Sequence, residues 1–155
     1  MLANRPYAPL SMLGVLMLIL AIILVVPTTE WLAVNIYLVV VIAFAVVLYK
    51  KGILPVEPSF PASLFVLALV VKLLFSIGRY WTVVDLYGGA ADAPAYHFEG
   101  VMLAPYFRDF DFSILEWYVF RGEGSTRMAI LTGFLYTFMP ASMAGSFIFF
   151  AILAF

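Results

Sequence analysis

Four stretches of the chain are almost continuously apolar, and the polar positions between them mark where a helix would leave a membrane. Leu10 to Val26 is the first, closed by Pro27. Trp31 to Tyr49 is the second, with an aromatic residue at each end suited to a membrane–water interface. Pro61 to about Trp81 is the third; its opening, Pro58-Ser59-Phe60-Pro61, is a helix-start pattern with proline in the first turn. The fourth runs from Met128 to Phe155, and Pro140 divides it into a short and a longer half. A helix needs about 20 apolar residues to cross a bilayer core. The predicted fold is therefore an all-α integral membrane protein of about four transmembrane helices, forming a single membrane domain over residues 1–155.

Between the third and fourth stretches lies a polar, aromatic-rich block, residues 85–127. Most of the acids fall here (Asp85, Asp92, Glu99, Asp109, Asp111, Glu116, Glu123), with the only histidine, His97. Charges this dense cannot sit in hydrocarbon, so the block belongs at or beyond a membrane face. Gly88-Gly89-Ala90-Ala91 breaks the helix that leaves the third stretch. Ala93 to Phe107 predicts a short helix with a broad apolar surface (Tyr96, Val101, Met102, Leu103, Phe107), fit to lie flat on the membrane. Phe110 to Phe120 is acidic and aromatic, with Trp117 and Tyr118 suited to the interface. Gly122 to Arg127 predicts a turn in which Ser125 or Thr126 caps the next helix.

Orientation follows from the basic residues of the short loops. Arg5 precedes the first stretch and Lys50-Lys51 follow the second, whereas the Pro27–Glu30 loop has none. The positive-inside rule places the N-terminus and Lys50-Lys51 in the cytoplasm and the 85–127 block outside it. A bacterial inner membrane is the expected location. The first apolar run is long enough to be a retained span, with no small-residue cleavage site after it. The sequence ends at Phe155 inside an apolar run. Either Met128–Phe155 is one long kinked span, or the chain is the N-terminal part of a longer polytopic protein; the second is the expectation.

Composition agrees. The chain is 66% hydrophobic and 11% charged, with mean hydropathy +1.12, against about 25% charged for a soluble domain. A net charge of −1 gives no footprint for nucleic acid. The absence of cysteine removes disulfides, thiolate metal sites and thiol catalysis.

Candidate chemistry gathers at the outer block. Asp92, Tyr96 and His97 fall within one and a half helical turns. Asp92 is placed to cap the helix; the same carboxylate can act as a general base or bind a divalent cation. His97 can shuttle a proton or bind phosphate, or simply sit exposed at the interface. Asp85, at the mouth of the third stretch, is a second candidate or an ordinary interfacial acid paired with Arg79. Lys72 falls near the middle of the third stretch, where a charge costs at least about 2.5–3.5 kcal/mol. Lys72, Ser76 and Arg79 share one helix face and point towards the block. Their partner is an acid of another helix, the phosphate of a lipid, or water reached by snorkelling. Arg121 and Arg127 are further cations able to clamp a phosphate. Glu30 and Asn35 are adequately explained by helix packing. Gly122 and Gly124 lack the lysine and preceding strand of a nucleotide loop.

The segment from Asp85 through Gly88-Gly89-Ala90-Ala91-Asp92 to Tyr96-His97-Phe98-Glu99-Gly100 resembles the first acidic outer loop of multi-span GT-C-type glycosyltransferases and polysaccharide-assembly proteins, relatives of the dolichyl-phosphate-mannose protein mannosyltransferases. The resemblance covers about residues 70–155. It implies an Asp-x-x-x-Tyr element with Asp92 as base or metal ligand, Asp85 in support, and a donor sugar on a polyprenyl phosphate held by cations such as Lys72 and Arg79. Two apolar stretches precede the one entering the loop, where the family pattern has one, and the family's later spans are not in the sequence. Two functions are thus expected as alternatives. One is a glycosyltransferase working at the outer interface. The other is a non-catalytic accessory or assembly subunit, or transporter fragment, in which Lys72 meets a partner helix's acid.

Overall fold

The computed structural model describes residues 8–51 and 62–153; Arg5, the Pro58–Pro61 helix start and Phe155 lie outside the described residues. The described chain is helical, with no strand: α1 (Ala8–Val25), α2 (Trp31–Lys50), α3 (Ala62–Trp81), α4 (Asp92–Arg108), α5 (Glu123–Phe138) and α6 (Met143–Leu153). A 3₁₀ turn at Thr28–Glu30 leads into α2, a π-helical turn at Thr82–Leu86 prolongs α3, and a 3₁₀ turn at Ser113–Glu116 joins α4 to α5.

Two helical segments are long and apolar enough to cross a membrane, Thr28–Lys50 with 23 residues and Ala62–Leu86 with 25. The predicted fourth span is not straight. Its halves, α5 and α6, meet at 108°, and counting them as one broken span raises the total to three. The first apolar stretch forms a helix, but Leu10–Val25 is a shorter apolar helix and is not among those long enough to cross. It presents Met12, Leu16, Met17, Leu20 and Leu24 outward.

The break between α5 and α6 has a local cause. Met139 precedes Pro140 and is driven to extended backbone, φ −118° and ψ 153°. The polar groups this frees are claimed by side chains. Tyr37, fully buried on α2, donates to the Pro140 carbonyl at 3.0 Å, and Tyr136 donates to the Ser142 carbonyl at 3.0 Å. Such re-satisfaction is what lets a helix break at membrane depth. Arg108 reaches the carbonyl of Tyr136 at 2.6 Å, near the end of α5.

α6 packs on α2 and α3, α1 packs on α3, and α4 lies along α5. Small residues permit the closest approaches, as is usual for membrane helices. Gly145 of α6 faces the Tyr37 ring, Gly100 of α4 faces Thr132, and Gly133 of α5 faces Leu103. The main core joins Val34, Tyr37 and Val41 of α2 to Leu69, Leu73 and Ile77 of α3 and Ala144 and Ile148 of α6. A second core, Leu103, Phe107, Ile114 and Ala129, holds the α4–α5 pair together.

Two capping expectations are corrected. Asp92 is the first residue of α4, not its cap; Ala91 occupies that position and no side chain caps the helix. Asp92 instead lends its charge to the positive end of the helix dipole. At α5 the cap position is Gly122, with φ 127° and no side-chain bond. Thr126 lies a turn inside α5 and ties the approach to it, accepting from the Phe120 amide at 2.9 Å.

Candidate functional site

The predicted cationic stripe meets two of the three clustered residues, Tyr96 and His97 but not Asp92, in one cavity of ≈ 460 Å³. Lys72, Ser76 and Arg79 of α3 line one side, and Tyr96 and His97 of α4 line the other. Phe75 of α3 and Phe147 and Phe150 of α6 complete an apolar wall. The α3 stripe reaches the cavity because 72, 76 and 79 recur at the helical period.

Ser76 is the telling member. It is only 3% exposed, and its hydroxyl is the buried side-chain polar atom without a hydrogen-bond partner among the described residues. A hydroxyl in a helix ordinarily bonds to water or to a carbonyl one turn back. A buried unpaired one costs about 1–3 kcal/mol. Here it lines a cavity between two cations, where an acceptor oxygen would satisfy it.

His97 is half-buried, and its Nδ1 lies 2.8 Å from the Tyr136 hydroxyl. That hydroxyl also lies 3.0 Å from the Ser142 carbonyl, which can only accept. Tyr136 has one proton, so both contacts are hydrogen bonds only if Nδ1 carries a hydrogen and donates to Tyr136. Burial pulls the His97 imidazole below its ordinary 6.5, opposed in part by the Glu30 carboxylate. The side chain is thus neutral near pH 7, with Nε2 as its unprotonated nitrogen.

Glu30 is the residue that sequence reasoning missed. Helix packing explains it adequately in the sequence, yet it organises the far side of this network. Its carboxylate accepts from Ser142 Oγ at 2.6 Å and from the Ala144 amide at 3.2 Å, and stands 3.5 Å from the Tyr80 hydroxyl. Ser142 in turn accepts from the Gly145 amide at 2.9 Å, capping α6. The available signal was Ser142 just after Pro140, a helix-start pattern. Nothing in the sequence pairs it with an acid 112 positions earlier. Asn35, by contrast, bonds only locally, to the Trp31 carbonyl at 2.8 Å.

The other predicted site residues do not join the cavity. Asp92 lines a separate shallow groove with Gly89, Phe98 and Arg121, and pairs with Arg121 at 3.6 Å. Both side chains are well exposed, so the pair adds little stability. Ala93 belongs to the cavity while Asp92 and Pro94 belong to the groove, so the two hollows adjoin along α4. Arg121 adopts φ 48° and stacks its guanidinium 5.1 Å from the Phe120 ring centre. Arg127 pairs with Glu123 one turn away on α5. Asp85 is exposed on the π turn, lines neither hollow and makes no ion pair with Arg79. No group of three or more His, Asp or Glu side chains is placed to hold a metal ion among the described residues.

No protein-family model, curated protein or solved structure matches the chain.

Proposed function

We propose that this membrane protein holds a lipid-linked phosphate between α3, α4 and α6, as the donor site of a glycosyltransferase of the GT-C type. The observation that carries the reading is the composition of the cavity: Lys72, Arg79 and an unpaired Ser76 hydroxyl beside Phe75, Phe147 and Phe150. Cations and a hydroxyl donor suit phosphate oxygens. The aromatic wall suits the first isoprene units of the chain that follows. Lys72 lies near the middle of the third apolar segment, where a charge is costly and helix packing alone gives no reason to keep one.

In this reading the apolar segments cross the membrane four times, with Lys50-Lys51 inside and the 85–127 block, α4 included, at the outer face of a bacterial inner membrane. The acceptor enters from the groove of Asp92 and Arg121. Its hydroxyl proton passes to Asp92 as its oxygen bonds to the sugar's anomeric carbon. The bond from that carbon to the phosphate oxygen breaks, and polyprenyl phosphate leaves. Asp85, outside both hollows, has no assigned step.

The test is binding to the purified protein in detergent. Farnesyl phosphate, a short isoprenyl phosphate monoester, should bind, and farnesol should bind at least tenfold more weakly. Lys72→Met with Arg79→Met should remove that preference for the phosphate. Equal binding of phosphate and alcohol would rule the reading out.

A further inference from the structure

We propose that His97 is the charge-matching group of the cavity: it stays neutral beside a phosphodiester and takes up a proton at Nε2 when a phosphate monoester occupies the site. The inference rests on the phosphate-binding reading above and adds a chemical discrimination to it. Three observations carry it.

First, Tyr136 fixes the tautomer. Its hydroxyl lies between Nδ1 at 2.8 Å and the Ser142 carbonyl at 3.0 Å, which commits the ring hydrogen to Nδ1. Second, the ring lines the cavity while Tyr136 does not, so Nε2 is the nitrogen left to meet a ligand. Third, the unliganded surroundings favour the neutral ring, and an added anion is what would reverse that preference. Lys72 and Arg79 of α3 line the same cavity, Tyr96 stands beside His97 on α4, and α5 contributes Tyr136. Glu30, ahead of α2, acts on the ring from the far side of Tyr136 and Ser142. The residues of α6 that line the cavity carry no charge.

A phosphodiester brings one negative charge against the two positive charges of Lys72 and Arg79, and the net charge of +1 that remains opposes a third cation at His97. A monoester gains a second charge above its second pKa of about 6. Neutral Nε2 would then turn a lone pair towards an anion. Taking a proton from solvent, or from the monoester itself, converts that repulsion into a charge-assisted hydrogen bond. Glycosyl transfer from a polyprenyl phosphate converts a diester into a monoester, so the same residue would register the change from substrate to product.

His97 is the only histidine in the chain, so labelling histidine with ¹⁵N reports on this ring alone. Imidazole nitrogen shifts at pH 7 should show the neutral Nδ1–H tautomer in the unliganded protein. Saturating farnesyl phosphate should convert the ring to imidazolium, and farnesyl methyl phosphate, the diester, should leave it neutral. Inorganic phosphate should give the conversion only at far higher concentration; equal potency would make the phosphate group alone, not a lipid, the ligand. Tyr136→Phe should release the tautomer towards Nε2–H. A ring that stays neutral with bound monoester, or that titrates equally with monoester and diester, overturns the role of His97 while leaving phosphate binding intact. Failure of both esters to bind overturns both readings.

Discussion

Glu30 accepts a 2.6 Å hydrogen bond from Ser142 across 112 positions of the chain. This contact places a carboxylate at the N-terminus of α6, where the Ala144 amide also points to it. Anions at such a helix end are favoured by the unpaired amides and by the helix dipole. The pair therefore fixes the angle at which α6 leaves Pro140, and with it the wall of the cavity. Ser142→Ala should lower stability by about 1 kcal/mol. Glu30→Ala, which strands several donors, should cost about 1–3 kcal/mol. Thermal unfolding in detergent, followed by circular dichroism, should show both losses. The double variant should lose less than the sum, since the two residues share one bond. Full additivity would mean that the contact does not form.

Close helix approach makes certain glycines irreplaceable. A Cβ at Gly100 would come within 2.6 Å of the Thr132 methyl, and one at Gly133 within 2.7 Å of Leu103 Cβ. One at Gly145 would collide with the Tyr37 ring. Alanine at any of these should destabilise by about 1–3 kcal/mol, as overpacking does. Gly124→Ala, where nothing lies within 4 Å, should be tolerated. The same unfolding experiment checks this, and an unaffected Gly145→Ala would contradict the α2–α6 packing.

The lowered basicity of His97 has a stability consequence. Its folded value lies below the ordinary 6.5, so the unfolded chain binds the proton more readily. Stability is then fully present above about pH 6.5 and is lost as pH falls through the folded value. The unfolding midpoint should fall between pH 7 and pH 5, and His97→Gln should flatten that part of the profile. A profile unchanged by His97→Gln would contradict a ring that is neutral in the folded protein.

Asp92 and the cavity should separate kinetically. Asp92 lies in the groove with Arg121, outside the hollow lined by Lys72 and Arg79. Asp92→Asn should reduce sugar transfer about 100-fold or more, the scale of general-base catalysis. It should leave farnesyl phosphate affinity unchanged. Lost affinity with retained transfer would reverse the assigned roles.

Much of this architecture was legible in the sequence. The second span, ending near Tyr49, the start of α4 beyond the Gly88-Gly89 break and the division of the last apolar stretch at Pro140 each follow from local pattern. The convergence of Lys72 and Arg79 on one face was legible too, because helical period alone sets it. What could not be read was the meeting of that face with His97, which depends on how α4 and α5 fold back beside α3. Glu30 was misread for the same reason. An acid at the end of an apolar helix is adequately explained by helix packing until Pro140 turns the chain through 108° and delivers Ser142 to it. Asp92 erred in the other direction. Its position suited a cap, but Ala91 took that place and turned the carboxylate to the neighbouring groove.

The most direct measurement is photoaffinity labelling with a diazirine-bearing isoprenyl phosphate, followed by peptide mapping. Label should concentrate on Phe75, Phe147 and Phe150, be displaced by farnesyl phosphate but not by farnesol, and fall sharply in Lys72→Met with Arg79→Met. Label spread over the outward faces of α1 and α2, indifferent to the phosphate competitor, would show that the cavity does not receive the lipid.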